Sequence, residues 1–103
     1  MARPSRYRKK IINKQRDFTT PEYKAFRKAV LVRDKYKCQY PKCNKSARQV
    51  HHIIRWADSV HLRYEKSNGI SLCYECHNKI KGKEKYFILL FAEIVRRTNE
   101  NNN

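Results

Sequence analysis

Four cysteines in two pairs constrain this chain more than any other feature. Cys38 and Cys43 are spaced C-x4-C, Cys73 and Cys76 are spaced C-x2-C, and 29 residues separate the pairs. The first pair sits in "CQYPKC", which reads as a turn, and the second sits where "GISLC" passes from a strand into a helical run. Two thiolates on a turn meeting two more at a strand-to-helix junction is the arrangement a tetrahedral structural zinc requires. The positive helix N-terminus near Cys76 further favours thiolate over thiol. Four unrelated buried thiols are the alternative, and the paired spacing weighs against them. In 103 residues the apolar core must be small, so a metal staple supplies stability that the core lacks. Four ligands also close such a site, which leaves it no open position for chemistry.

Around the cysteines the chain reads as a small single α+β domain. Residues 1–17 carry seven basic side chains and no strong helical stripe, and are expected to form a flexible basic arm ahead of a domain spanning 18–97. "TTPEYKAFRKAVLVRDKYK" predicts an N-terminal helix: Thr20 can cap it, Pro21 suits its first turn, and Tyr23, Phe26, Val30 and Leu31 recur at helical spacing. "ARQVHHII" reads as a strand and "GISLC" as a second. A helix opens near Tyr74 and breaks or bends at Gly82, a final helix covers the apolar run 86–95, and 98–103 is a polar tail.

Charge narrows the partners. Lys and Arg number 25 against 9 Asp and Glu, a formal net charge of +16, and residues 1–37 alone hold 13 basic and 3 acidic side chains. That excess exceeds what solubility needs and points to a polyanion, with nucleic acid the first candidate. "MARPSRYRKK" has a charged start without an apolar stretch behind it, and "YFILLFAEIV" is too short for a membrane span and contains Glu93. The expectation is therefore an intracellular, cytoplasmic protein with reduced thiols and no membrane partner.

The segment "RQVHHIIRW" adds a second constellation. His51 and His52 adjoin on a strand, where neighbouring side chains point to opposite faces. Asn68 follows His52 with fifteen residues between, and His77 directly follows Cys76, giving HH-x15-N-x4-C-x2-CH. This pattern resembles the HNH endonuclease family and its ββα-metal motif over roughly residues 22–83, most specifically in "NGISLCYECHNK". The resemblance implies a zinc-stapled ββα-metal core flanked by an N-terminal and a C-terminal helix. It also implies that His51 and His77 hold a catalytic divalent ion, that His52 is the general base, and that Asn68 either braces the loop behind the base or reaches the metal. An Asn before a Gly is also what a tight turn wants.

The chemistry agrees. Phosphodiester cleavage needs a base to activate water and a cation to stabilise charge, and a coordinated imidazole has spent the lone pair a base would use. Two adjacent histidines facing opposite ways can divide that work. Many family members carry Asp where His51 stands; two imidazoles favour Mn2+, Co2+, Ni2+ or Zn2+, and Mg2+ stays open. Some members also carry a further His where this chain has Lys81, which can instead sit against a phosphate. His61, in the polar loop, reads as structural, and Trp56 as a cap on the core. Arg63 could touch phosphate or only solvate its loop.

The function expected is a metal-dependent DNA endonuclease of the compact phage or mobile-element type, leaving 5′-phosphate and 3′-hydroxyl ends. Low to modest sequence specificity is expected. Lys24, Arg27, Lys28, Arg55, Lys79 and Lys81 are the DNA-contact candidates, and the DNA they are expected to grip by charge is double-stranded. A single site cuts one strand, so nicking is expected, or double-strand cleavage through a dimer or two nicks, from a monomer or a weak homodimer. The alternative is a non-catalytic, zinc-stapled nucleic-acid binder, which would not need His52, Asn68 and His77 at these spacings.

Overall fold

In the computed structural model, residues 19–101 are described. Three helices surround a two-stranded sheet: α1 (Pro21–Arg33), β1 (Gln49–His52), β2 (Gly69–Leu72), α2 (Tyr74–Ile80) and α3 (Ile88–Asn101). Short 3-10 turns at Lys66–Asn68 and Glu84–Phe87 lead into β2 and α3. The basic arm proposed for residues 1–17 lies outside the described residues.

Helix α1 forms as its sequence predicts. Thr20 Oγ1 accepts from the Tyr23 amide at 3.2 Å, Pro21 occupies the first turn, and Phe26, Val30 and Leu31 are buried. It ends at Asp34, after which Lys35 and Tyr36 both take left-handed backbone angles, φ 58° and 56°, and reverse the chain. The next segment folds back on itself through a Lys37–Ser46 bridge and a Cys38 amide to Lys45 carbonyl bond of 2.8 Å.

A two-stranded antiparallel sheet is marginal alone, so both faces are covered. The register pairs His51 with Ile70 and His52 with Gly69. On one face of β2, Gly69 and Ser71 are small enough for α1 to approach closely. A Cβ at Gly69 would lie 2.7 Å from Val30 Cγ2 and 2.8 Å from Phe26 Cζ. On the other face, Ile70 and Leu72 join Ile53, Ile80, Phe91 and Val95 in the core. Gly69 therefore serves close packing. Its backbone is extended, φ −117°, so Asn68–Gly69 is a strand entrance and not a tight turn.

A buried ion pair locks α1 to the sheet. Arg33 donates through Nε and Nη2 to both Asp34 carboxylate oxygens at 2.9 Å, and through Nη1 and Nη2 to the carbonyls of Lys66 and Gly69 at 2.8 and 2.7 Å. Asp34 in turn accepts from the Ser71 amide at 3.0 Å. Each buried charge is thus fully hydrogen-bonded, the condition under which such a pair is tolerated.

One boundary resolves an open reading and another differs from the sequence. Helix α2 stops at Ile80 and Gly82 turns the chain with φ +81°, so the break at Gly82 is a true helix end. Helix α3 begins at Ile88 and continues through Thr98 to Asn101, beyond the apolar run. Salt bridges from Glu93 to Arg96 and Arg97, and from Arg96 to Glu100, support the polar turns that hydropathy alone does not mark as helical. No helix among the described residues is long and apolar enough to cross a membrane.

Candidate active site and metal centres

The four cysteine sulfurs gather within 4.8 Å of one another. Cys43 and Cys73 Sγ are 3.9 Å apart, close to the roughly 3.8 Å edge of a tetrahedron built on Zn–S bonds of about 2.3 Å. The cluster can hold a metal ion. Cys38 and Cys43 come from the folded-back turn, while Cys73 caps α2 and Cys76 lies in its first turn. The helix end acts on Cys73 and not, as the sequence reading had it, on Cys76. The Cys76 amide donates to Cys73 Sγ at 3.4 Å and, with the neighbouring thiols, brings its pKa down to about 7. Burial, together with those same thiols, pushes Cys76 upward.

His51 and His52 stand on opposite faces of β1. His51 points toward α2 and α3, is buried at 8% exposure, and packs with its ring 5.8 Å from His77 and 5.8 Å from Phe91. Its Nε2 is buried with no hydrogen-bond partner. Burial, then the neighbouring His77, lowers its pKa to about 4, so the imidazole is neutral with a lone pair to offer. Burial and Lys81 lower His77 as well. Two neutral imidazoles side by side, one with an orphaned buried nitrogen, fit a divalent cation. Among the described residues only the cysteines assemble three or more such donors at one point, so this second site would use two protein ligands and leave the remaining positions open.

His52 faces α1. Its ring stacks on Phe26 at 4.8 Å and meets the edge of Trp56 at 5.6 Å. Nε2 lies 2.8 Å from the Arg63 carbonyl oxygen. A carbonyl only accepts, so Nε2 carries the proton and Nδ1 keeps the lone pair, the state a general base requires. Gly69, opposite His52 in the register, leaves the space through which Phe26 reaches this ring.

Trp56 backs His52 and is not merely a core cap. The Arg63 guanidinium lies 4.7 Å above its ring, and Arg63 Nε donates to its carbonyl at 2.9 Å. The loop that returns from β1 thus folds under His52. Asn68 ties that loop down: Oδ1 accepts from the Ile54 amide at 2.8 Å, and Nδ2 donates to the carbonyls of Ile54 and Leu62 at 3.0 and 3.1 Å. Of the two roles left open for Asn68, this hydrogen-bonding matches the brace.

His51, His52 and His77 line one cleft of about 340 Å³ with Tyr23, Arg55, Trp56 and Glu84. A second groove continues from His77 along Arg27, Arg48, Tyr74, Asn78 and Lys81. Of the expected DNA contacts, Arg27 and Lys81 therefore flank the histidine site, and Lys24 and Lys28 are exposed on α1. Arg55 reaches the cleft but is held by Asp58 at 2.9 and 3.1 Å. Lys79 stands apart over the Tyr40 ring at 5.4 Å. Arg48, Tyr74 and Glu84 carry no sequence signal of their own; only folding brings them to the site.

The comparisons agree with this geometry. The family model for HNH endonuclease matches residues 37–83. The fold also matches the crystal structure of the deep-sea thermophilic bacteriophage GVE2 HNH endonuclease with manganese ion. That match has a TM-score of 0.67 and 31% identity, and covers 79% of this chain and 94% of that one. No sequence among curated proteins matches significantly. The fold is the HNH fold, and the chain belongs to the HNH endonuclease family.

Proposed function

We propose that this protein is a metal-dependent DNA endonuclease that leaves 5′-phosphate and 3′-hydroxyl ends. The observation that carries the reading is the division of the paired histidines: His51 packs beside His77 with its buried Nε2 unpartnered among the described residues, and His52 is held through Nε2, which leaves Nδ1 as the basic atom of the neutral ring. His52 takes a proton from the attacking water. Phe26, Trp56 and the Arg63 carbonyl keep its ring in place, and Asn68 keeps the loop that presents that carbonyl. A divalent ion held by His51 and His77 supplies Lewis acidity for the charge on the phosphorane and the 3′ leaving oxygen. The two-imidazole donor set favours Mn2+, Co2+, Ni2+ or Zn2+ over Mg2+, and the phage relative was crystallised with manganese.

The four cysteines hold a structural zinc. Arg27 and Lys81 contact backbone phosphates beside the cleft, Lys24 and Lys28 extend that surface along α1, and Arg55 and Lys79 add charge at its edges. One site of this kind cuts one strand. The reading is tested by nicking of supercoiled plasmid with Mg2+, Mn2+, Co2+, Ni2+ or Zn2+, comparing wild type with His52→Ala at matched folding and DNA affinity. Nicking by wild type alone supports it. Folded, zinc-loaded wild type that binds DNA and never cuts with any ion sinks it in favour of a non-catalytic binder.

A further inference from the structure

The cleft that holds the three histidines has a single acidic side chain among its lining residues, Glu84. A divalent cation entering there meets an unfavourable field: the chain is +16 overall, Arg55 lines the same cleft, and Lys81 bears on His77. The imidazoles bring lone pairs and no negative charge. Glu84 is placed differently. It stands two residues beyond Gly82, whose left-handed backbone returns the chain toward β1 after α2, and its charge bears on both His51 and His77. Backbone N–H groups of Glu84 and Gly82 hold its carboxyl below the usual range, which keeps it ionised. The Arg55 guanidinium, on the one Arg or Lys among the cleft's lining residues, is gripped by both oxygens of Asp58. Among the described residues Glu84 makes no salt bridge within 4.0 Å, and it does not assemble with the histidines into a three-donor set. Its contribution is charge.

We propose that Glu84 is the cation-recruiting residue of the histidine cleft, a carboxylate that lines it together with the His51–His77 pair and supplies the negative charge two imidazoles lack. The inference rests on the metal assignment made under the proposed function. It makes Glu84 a positioning residue for a hydrated divalent cation.

Calorimetric titration of Mn2+ into the full-length, zinc-loaded protein tests it, alone and with a phosphorothioate duplex that resists cleavage. Glu84→Gln should bind Mn2+ roughly tenfold more weakly than wild type. Glu84→Asp, which keeps the charge, should recover most of the affinity, and Glu65→Gln, which removes the same charge outside the cleft, should match wild type. Raising Mn2+ by the same factor should restore nicking by Glu84→Gln. Equal Mn2+ affinity for wild type and Glu84→Gln overturns the proposal, as does an equal loss in Glu84→Asp and Glu84→Gln at unchanged thermal midpoint. His77→Ala separates the two levels. If it abolishes Mn2+ binding while Glu84→Gln does not weaken it, only the role of Glu84 fails. If wild type binds no Mn2+ even with the duplex, the cation assignment fails and takes this inference with it.

Discussion

The cysteine cluster and the histidine cleft meet at the start of α2, where Cys73 and Cys76 serve one and His77 the other, yet they are built to opposite ends. Around the cysteines, four soft donors converge within 4.8 Å and leave an ion no vacant position. In the cleft, two imidazoles stand 5.8 Å apart by ring centre beside a third that is turned away and held by a carbonyl. Saturated ligation makes a staple, and incomplete ligation leaves room for substrate. Cys76 and His77, adjacent in sequence, serve one region each.

Stripping the metal from the cysteines should produce the largest effect. Structural zinc sites of this type contribute roughly 10–16 kcal/mol of binding free energy, which is folding free energy where the core is small. A strong chelator, or Cys73→Ser, should abolish the cooperative thermal transition followed by circular dichroism. Washing out only the weakly held cleft ion should leave that transition in place. If both treatments unfold the protein, the contrast between the two regions is lost.

His52→Ala should act in the reverse sense. Loss of a general base lowers the rate by roughly 10²–10⁴-fold, so plasmid nicking should fall by that factor while the thermal midpoint stays near wild type. Asn68→Ala should blur the boundary, because it strands a buried amide and two carbonyls under the base. Each unsatisfied buried group costs about 1–3 kcal/mol, and urea unfolding should register a loss of that order together with reduced nicking. Smallest is Lys81→Ala, at the groove beside His77. It should weaken DNA binding alike for all sequences and reduce the salt-dependence slope by about one, measured by fluorescence anisotropy across a salt series.

Much of this was legible in the sequence because it is local. A Thr-Pro start with apolar residues three and four apart predicts α1, and Thr20, Phe26 and Val30 do what that pattern requires. Cysteine spacing reports ligand geometry directly, and the sulfurs converge as the spacing implies. Adjacency on a strand forces His51 and His52 onto opposite faces, as the burial of one and the stacking of the other show. Misreadings arose where a local signal had two meanings. Asn68–Gly69 looks like a turn, but Gly69 is small because α1 must pass over it. The polar end of α3 looks like a tail, but its charges pair at helical spacing.

The sequence by itself determined the element order, the converging cysteine pairs and the pairing of the histidines, because each depends on spacing within a few residues. Tertiary structure decided the rest: that Arg33 and Asp34 bury their charges against β2, that the Arg63 carbonyl sets the His52 tautomer, and that Glu84 lines one cleft with His51 and His77. Those contacts join residues far apart in the chain or turned away from one another locally. Their energy comes from burial and hydrogen-bond geometry, which exist only once α1, the sheet and the turn after α2 have closed on each other.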